Sequence, residues 1–393
     1  MSIESKSKFD LEEARKKLRV AWVSDVFDEV SGIMTDTIEF YELAKRENFE
    51  WYPVTCYNKE LYPFKVFSQI LKIPTGSVYS GTYMFVPQFL SVVRYLREKK
   101  INVIVSNTPA TMGLVAMAAA RYLNIPWVDI YHTDVDFYSK VLSRGLINKV
   151  VNKAALMFVK QYQKRADLIF VRTKDYHEIM VNKGHKIEKI RNYPAGVNID
   201  AFNPSKENRD LWQKFGIDKD RKIILFVGRI TKVKDIHFAL EFFQTNNPKG
   251  CELVIVGNGP EKKLYEDKFG SHSQIHFLGI QQGEELKQIY ASSDLHVLPS
   301  ASETLGKTIL EALASNIPVL VSDMGGPKDY VKENINGRIF HGKDQAHFNE
   351  IFDSMLKDES IITKLKKQAR SSVLEYTDER LFNRFVENIL ELV

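Results

Sequence analysis

Cysteine and long apolar runs are scarce in this sequence. Its 393 residues include two cysteines, Cys56 and Cys251, which fall in different halves of the chain. Two cysteines so far apart predict neither a disulfide framework nor a cysteine metal site. A reducing cytoplasm is then the simplest compartment to expect for the protein. No apolar run approaches the roughly 20 residues that cross a bilayer, and residues 1–20 lack the apolar core of a signal peptide. We therefore expect neither a disulfide-stapled secreted protein nor a membrane-spanning one.

Basic residues outnumber acidic residues only in the first half of the chain. Residues 1–200 hold 29 Lys and Arg against 22 Asp and Glu, whereas the remainder holds 26 against 28. This basic excess is compatible with an anionic membrane or acceptor, and equally with an ordinary solvated face. Residues 62–95 combine aromatic side chains with Lys65, Lys72 and Arg94, which suits an interfacial segment or a partly buried excursion of an acceptor domain. No spacing of basic and aromatic residues indicates nucleic-acid binding.

Apolar runs alternate with helical segments along both halves. The runs are LRVAWVS, INVIVS, PWVDIYH and DLIFVR in the first half, and KIILFVG, ELVIVG, IHFLG, DLHVLP and IPVLVS in the second. This alternation predicts an α/β fold with two doubly wound parallel sheets, each in a Rossmann-like domain. The length is sufficient for two domains of roughly 200 residues each. We expect a first domain at residues 1–205, a second at 206–377 and a last helix at 378–393.

Two carboxylates lie around a predicted helix N-terminus in residues 300–331, SASETLGKTILEALASNIPVLVSDMGGPKDYV. A strand precedes this segment and residues 307–315 have helical spacing, so the backbone N–H groups of residues 305–307 should face an anion such as a diphosphate. Glu303 in the loop could bind sugar hydroxyls, and Glu311 in the helix could accept both hydroxyl protons of a ribose. Acids near a helix start are also common as solvated side chains, so the spacing leaves both interpretations open.

Two cations follow the predicted strand KIILFVG. Arg229 comes directly after Gly228, and Lys234 lies five residues further on, so both could reach a diphosphate and stabilise the leaving phosphate. Surface cations are equally expected in the lysine-rich segment RITKVKD. The nearby Gly-Asn-Gly-Pro segment, residues 257–260, matches only half of a dinucleotide fingerprint, because its third glycine would fall on Lys262.

With these residues, the chain resembles the retaining glycosyltransferases of family four, which have the GT-B fold. The matching residues are 303–306 (ETLG), 310–314 (LEALA), 318–319, 325–326 with Asp329, and 336–337. The ETLG form resembles most the sulfoquinovosyltransferases and related glycolipid or polysaccharide enzymes. The chain departs from the usual pattern at Asn316 and Asp235, where glycine is common, and at Asp329, where glutamate is common.

The resemblance implies that the first domain binds the acceptor, that the second binds a nucleotide-sugar across a shared cleft, and that the last helix returns to the first domain. His132 matches a histidine that faces the transferred sugar, Asn258 a loop near the donor, and Ile280 a position near the base. Gly32 would let the backbone approach a substrate. The residues assigned to catalysis are His132, Arg229, Lys234 and Glu303. The residues assigned to the donor are Gly32, Gly228, Arg229, Lys234, Asn258, Ile280, Glu303, Thr304, Leu305, Gly306, Lys307 and Glu311.

The expected reaction is transfer of a hexosyl-type group from a UDP-sugar or GDP-mannose to a hydroxyl of a glycolipid, polysaccharide or other glycan. No cofactor and no nucleic-acid partner are expected, and association with the inner face of an anionic membrane is one option. Asp134 and Asp136 spell the D-x-D of the GT-A fold, but we expect no metal because cations and helix amides already suit the diphosphate. A hydrolysing nucleotide-sugar epimerase and a non-catalytic binding subunit of the same fold remain alternatives.

Overall fold

A computed structural model of the chain describes residues 10–25, 32–56, 63–74, 83–131, 157, 159–303 and 305–393. Contacts divide the chain into two compact units. The first comprises Met1–Arg172, Tyr176–Tyr193 and Leu381–Val393, and the second comprises Thr173–Asp175 and Pro194–Arg380. Apart from Thr173–Asp175, the second unit begins at Pro194, whereas the expected boundary lies at residue 205. The reason is local bonding: the Ala195 amide donates to the Tyr330 hydroxyl at 2.9 Å, and Val197 pairs with Thr377.

The first unit is built on a seven-stranded parallel sheet. The described strands of the unit are β1 (Arg19–Val23), β2 (Glu50–Thr55), β3 (Lys65–Val66), β4 (Gln69–Pro74), β5 (Tyr83–Pro87), β6 (Val103–Ser106), β7 (Trp127–Tyr131), β8 (Leu168–Val171) and β9 (Ile190–Asn192). Strands β4 and β5 form a separate antiparallel hairpin, and the other strands form the parallel sheet. The order in the sheet is β3-β2-β1-β6-β7-β8-β9. Its described helices are α1 (Leu11–Lys17), α2 (Gly32–Arg46), α3 (Phe89–Glu98), α4 (Thr111–Leu123) and α5 (Lys174–Asn182), and residues 159–163 are also helical. Strands β6, β7 and β8 are buried throughout, as expected where helices cover both faces of a parallel sheet.

The second unit contains a six-stranded parallel sheet in the order β12-β11-β10-β13-β14-β15. The strands are β10 (Lys222–Val227), β11 (Cys251–Val256), β12 (Ile275–Gly279), β13 (Leu295–Leu298), β14 (Val319–Ser322) and β15 (Gly337–Phe340). The helices are α6 (Leu211–Lys214), α7 (His237–Asn246), α8 (Lys262–Phe269), α9 (Gly283–Ala291), α10 (Lys307–Ala314), α11 (Gln345–Lys357) and α12 (Glu359–Ala369). The last helix, α13 (Asp378–Leu390), starts in this unit and continues in the first. Short 3-10 turns span Ile187–Lys189 in the first unit and Pro204–Lys206, Lys232–Lys234, Pro327–Asp329 and Ser371–Tyr376 in the second. This strand order is that of a doubly wound dinucleotide fold.

The last helix belongs mostly to the first unit. From Leu381 onward, α13 packs its apolar face on the first sheet. The Phe385 ring stacks on Phe170 of β8 with centroids 4.5 Å apart, and the Phe382 ring meets the edge of Phe49 at 5.5 Å. Aromatic pairs of this kind stabilise by about 0.5–1.5 kcal/mol each beyond the area that they bury. The C-terminal helix is therefore a component of the first unit's core.

The structure confirms the predicted pair of doubly wound sheets and adds strands that the sequence did not indicate. The predicted runs become β1, β6, β7, β8 and β10–β14. Strand β2 was missed because Pro53 lacks the N–H that a strand in a sheet donates. In the structure β3 pairs only with the last two residues of β2, Val54 and Thr55, so Pro53 has a neighbour on one side alone. Strand β15 was missed because four residues carry too little periodicity.

Candidate functional site

The candidate site lies where the strand order of the second sheet reverses. Strands β10 and β13 are neighbours in space, although β11 and β12 come between them in the chain. At such a switch point the loops after the two strands diverge and leave a crevice for a ligand. These loops are residues 228–235 and residues 299–306. The fold therefore brings together two segments that the sequence analysis selected separately.

Lys234 and Glu303 meet between these two loops. The Lys234 ammonium forms an ion pair with Glu303 Oε2, and the two side chains are only 22% and 16% exposed. The backbone also ties the loops together, because the Val233 carbonyl accepts hydrogen bonds from Ser300 Oγ at 2.8 Å and Ser302 Oγ at 3.3 Å. A predicted phosphate-binding cation and a predicted sugar-binding carboxylate are therefore direct neighbours.

Asp235 ends the turn Lys232–Lys234 in the left-handed conformation, with φ at +50°. Glycine adopts this conformation most readily, and aspartate tolerates it better than most other residues. Asp235 Oδ2 accepts a 3.2 Å hydrogen bond from the Ala301 amide, and burial raises the pKa of this carboxyl. Asn316, the other position where glycine is common, is left-handed as well. Both departures from the family pattern therefore retain the backbone that glycine would allow.

Glu303 carries its negative charge despite burial. Desolvation raises the pKa of this carboxyl, but the Lys234 charge and the hydrogen bonds from Lys234, Leu305 and Gly306 outweigh desolvation and lower the pKa overall. The folded-state pKa therefore lies below the ordinary value. The stability that these contacts contribute is present above a pH of about 4.3 and is lost as the pH falls through the lowered pKa. At neutral pH Glu303 is an anionic hydrogen-bond acceptor.

The backbone amides before α10 have a partner that the sequence analysis did not assign to them. The sequence predicts that the N–H groups of Leu305, Gly306 and Lys307 face a diphosphate. In the structure the Leu305 amide donates to Glu303 Oε1 at 3.2 Å, and the Gly306 amide also bonds this carboxylate. A carboxylate two or three residues before free amides folds back onto them, as at a helix N-cap. Glu303 is therefore oriented by its own loop as well as by Lys234.

Two glycines shape the Glu303 loop. Gly306 has φ at +63°, and a Cβ at this residue would lie 3.0 Å from Cγ of Pro327. Gly325 has φ at +77°, and its Cβ would lie 2.5 Å from the Glu303 carbonyl oxygen, which accepts a 2.8 Å hydrogen bond from the Gly326 amide. Both positions therefore need glycine for a positive φ and for close approach. The glycines of the matched motif support the conformation of Glu303.

Glu311 of α10 has a partner that the sequence did not indicate. The hydroxyl of Tyr290, a fully buried residue of α9, donates to Glu311 Oε2 at 2.8 Å. In the sequence, Tyr290 ends an apolar helix face, a pattern typical of a core residue. The signal that could have singled it out is the hydroxyl itself, since a buried tyrosine usually needs a hydrogen-bond partner.

The loops after β10 and β11 touch through glycines. A Cβ on Gly257, with φ at +140°, would collide with the Gly228 carbonyl oxygen, and the Ile230 amide donates to the Asn258 carbonyl at 2.9 Å. The Gly-Asn-Gly-Pro segment therefore allows two loops to pack closely. Arg229, which lies at this junction, is exposed and forms no ion pair with any residue that the structure describes.

The remaining predicted residues occupy several elements. Ile280 follows β12 and is 62% exposed. Lys307 is the first residue of α10 and is half-buried. Gly32 begins α2 in the first unit, where the loop after β1 ends. Four positions lie outside the residues that the structure describes: His132, Thr304, Asp134 and Asp136.

Family models match both halves of the chain. One, described as "Glycosyl transferases group 1", matches residues 207–372, which include Lys234, Glu303 and Glu311. Another, described as "Glycosyltransferase Family 4", matches residues 45–201. The chain belongs to these glycosyltransferases. The predicted resemblance is therefore confirmed, and this glycosyltransferase is an enzyme of that class.

Several curated relatives are similar over most of this chain. Alpha-monoglucosyldiacylglycerol synthase from Acholeplasma laidlawii is 27% identical over 89% of this chain and 91% of its own length. GDP-mannose-dependent alpha-mannosyltransferase from Corynebacterium glutamicum is 27% identical over 96% and 90% of the two chains. Sulfoquinovosyl transferase SQD2 from Arabidopsis thaliana is 28% identical over 72% of this chain, which spans 56% of that longer protein.

Solved structures confirm the GT-B fold for this glycosyltransferase. Anabaena HepE in complex with UDP has a TM-score of 0.77 and 18% sequence identity, covering 95% of this chain and 100% of HepE. Sucrose-phosphate synthase from Thermosynechococcus elongatus has a TM-score of 0.74 and 18% identity, covering 96% and 99% of the two chains. At these identities the similarity establishes the fold.

Proposed function

We propose that this glycosyltransferase moves a hexosyl-type group from a nucleoside diphosphate sugar to an acceptor hydroxyl, with retention at the anomeric carbon. The observation that supports the proposal most is the contact between Lys234 and Glu303 at the switch point of the second sheet. A diphosphate needs a cation, and a sugar needs acceptors for its hydroxyl protons. The pair supplies both groups at one position.

In the proposed complex each charged residue has one task. Lys234 and the exposed Arg229 bind the diphosphate and stabilise the negative charge that develops as the sugar leaves. Glu303 accepts hydrogen bonds from the sugar hydroxyls, and Glu311 accepts them from the ribose. The leaving phosphate takes the proton of the acceptor hydroxyl, so no side chain acts as a nucleophile. We propose that the reaction uses no metal ion and no other cofactor.

The proposed donor nucleotide is UDP or GDP. HepE was crystallised with UDP and with UDP-glucose, and the Corynebacterium glutamicum relative is named for GDP-mannose. A thermal-shift series with UDP-glucose, GDP-mannose and ADP-glucose, in the presence of EDTA, tests this assignment. A ligand at about 100 times its Kd stabilises the folded state by about 2.7 kcal/mol. We expect a rise in Tm with one of the first two donors, whereas no rise with any of the three would contradict the proposal.

The proposed acceptor is a lipid or glycolipid at an anionic membrane. The Acholeplasma laidlawii relative is named for a glucosylated diacylglycerol, a product that resides in a bilayer. Among the residues that the structure describes, no helix is both long and apolar enough to cross a membrane. Access to such an acceptor would then depend on a surface that binds the bilayer from one side.

The first unit exposes a suitable surface around its β4 and β5 hairpin, which we call the hairpin face. Ile70 and Leu71 of β4 are 67% and 54% exposed, and Leu90 at the start of α3 is 65% exposed. The Gln88 amide donates to the Ser68 carbonyl at 3.3 Å, so the start of α3 lies beside the start of β4. Three large apolar side chains are therefore exposed on neighbouring segments.

The hairpin face is also basic. Residues 61–128 contain seven Lys and Arg but a single acid, Glu98. Arg94 and Arg97 of α3 are exposed, and Arg97 lies over the ring of Tyr122, itself 57% exposed, at 5.2 Å. Exposed apolar side chains beside cations favour an anionic lipid surface over a neutral one. The sequence predicts either an interfacial or a partly buried role for residues 62–95. Their described part combines this exposed surface with the buried side chains of Phe67 and Phe85.

Replacing Arg94 and Arg97 together by glutamine is expected to weaken binding to phosphatidylglycerol vesicles roughly 10- to 30-fold, because each cation near such a surface contributes about 1 kcal/mol. Replacing Ile70 and Leu90 by serine is expected to weaken it as well. Vesicle sedimentation at low salt measures both effects. The matched controls are Lys263→Gln and Leu264→Ser in α8 of the second unit, where Leu264 is 57% exposed. Equal binding of the wild type to anionic and zwitterionic vesicles would contradict the proposal.

A further inference from the structure

The hydroxyl of Tyr290 is held in one place by its surroundings. The side chain is fully buried in the second unit, its ring meets the edge of Phe202 with centroids 5.4 Å apart, and His296 of β13 lies 5.9 Å away. A buried aromatic ring packed on two sides has no alternative rotamer without opening the core. Its hydroxyl donates to Glu311 Oε2 at 2.8 Å. The hydrogen bond therefore positions the more exposed Glu311 carboxylate, and not the reverse.

The electrostatics fix the direction of this hydrogen bond. Burial raises the pKa of Tyr290 well above its ordinary value, and the Glu311 charge and hydrogen bond raise it further. The proton therefore stays on the tyrosine, which is always the donor, and Glu311 is the acceptor. A carboxylate has about four lone-pair positions on two oxygens, so an oriented Glu311 can still accept from further hydroxyl groups.

We infer that Tyr290 is a positioning residue for the nucleotide ribose, holding the Glu311 carboxylate at the angle at which it accepts both the 2′ and the 3′ hydroxyl protons. The inference rests on the proposed function, in which Glu311 binds the ribose. Tyr290 itself does not touch the nucleotide. It therefore affects discrimination between ribose and 2′-deoxyribose. Without this hydrogen bond the carboxylate can still accept from one hydroxyl, but it is no longer held at the angle that serves two hydroxyls at once.

The Tyr290→Phe variant tests this role, since it removes one oxygen atom and retains the ring. Isothermal titration with UDP, GDP and their 2′-deoxy counterparts is the measurement. Loss of a hydrogen bond to a charged group is expected to weaken the binding of the ribonucleotide about 10-fold. Binding of the 2′-deoxynucleotide should be unchanged, so the preference for ribose falls by the same factor. In turnover, KM for the donor should rise while kcat stays the same.

Two further variants separate this role from a general loss of structure. Tyr265→Phe in α8 is the matched control, because Tyr265 is buried in the same unit and its hydroxyl forms no hydrogen bond among the described residues. This variant should bind both nucleotides as the wild type does. In a Glu311→Gln background, Tyr290→Phe should have no additional effect on the ribose preference. If Tyr290→Phe weakened the binding of the ribonucleotide and the 2′-deoxynucleotide equally, or weakened neither, the inference would be overturned and the proposed function would stand. Failure of the wild type to bind either ribonucleotide would refute the proposed donor, and the inference with it.

Discussion

Replacing Glu303 by glutamine is expected to lower kcat/KM for sugar transfer by about 10²- to 10³-fold, the range found when one preorganised polar group is removed from an active site. The amide keeps the size of the side chain but loses the charge that Lys234 and the Leu305 amide stabilise. It also presents one acceptor oxygen where the carboxylate presents two. Initial rates over a range of donor concentrations measure the effect, and most of it should fall on kcat.

Glu333→Gln is the matched control for this substitution. Glu333 also bonds a cation and a backbone amide, Arg338 Nε at 2.5 Å and the Ile339 amide at 2.7 Å, but it is exposed. Its replacement should leave kcat/KM within about threefold of the wild type, because surface ion pairs contribute about 1 kcal/mol or less. If Glu303→Gln were as active as this control, Glu303 would have no part in the reaction.

Replacing Lys234 by methionine is expected to have an effect of the same size, again about 10²- to 10³-fold on kcat/KM. Methionine retains the aliphatic stem but removes the charge that faces the diphosphate in the proposed complex. Lys232→Met is the control, because Lys232 lies in the same 3-10 turn and is exposed. Near-identical activity of the two variants would contradict the assignment of Lys234 to the leaving group.

The Lys234 variant should also change the pH dependence of the remaining activity. In the wild type, Lys234 is the main group that keeps the pKa of Glu303 below its ordinary value, against desolvation. Without this cation, desolvation raises the pKa of Glu303, so the protonated and inactive form persists to higher pH. The acidic limb of the rate profile should therefore move to higher pH in Lys234→Met. An acidic limb that stays in place would show that Glu303 titrates independently of Lys234.

The sequence was sufficient to predict the strand-loop-helix unit around Glu303 and the cation at Lys234, because both follow apolar strands whose carboxyl ends meet at one sheet edge. It was not sufficient to predict that the two side chains would bond each other. That contact depends on the order of β10 and β13 in the sheet, which is a property of the topology and not of local spacing. The Ser300 and Ser302 bonds to Val233 depend on the same adjacency.

Other features of the site could not be predicted from the sequence pattern, because they depend on local contacts. The Leu305 amide bonds Glu303 because the loop turns back on itself, and helical periodicity does not describe a loop. Tyr290 has the pattern of a core residue, which it is, and only its hydroxyl contact with Glu311 distinguishes it. Asp235 departs from the usual glycine, yet its left-handed backbone retains the turn that glycine would form. In each case the local structure depends on one side-chain contact or one backbone angle, which the sequence pattern does not predict.

Transfer of the sugar itself tests the central proposal most directly. The wild type and Glu303→Gln would be incubated with UDP-glucose or GDP-mannose, in EDTA, with and without diacylglycerol in phosphatidylglycerol vesicles. Nuclear magnetic resonance would follow the anomeric proton. We expect one nucleoside diphosphate released for each glycoside formed, only when the acceptor is present, with the anomeric configuration of the donor, and a rate at least about 10²-fold lower in the variant. Epimerisation of the donor without acceptor, or a product of inverted configuration, would contradict the account.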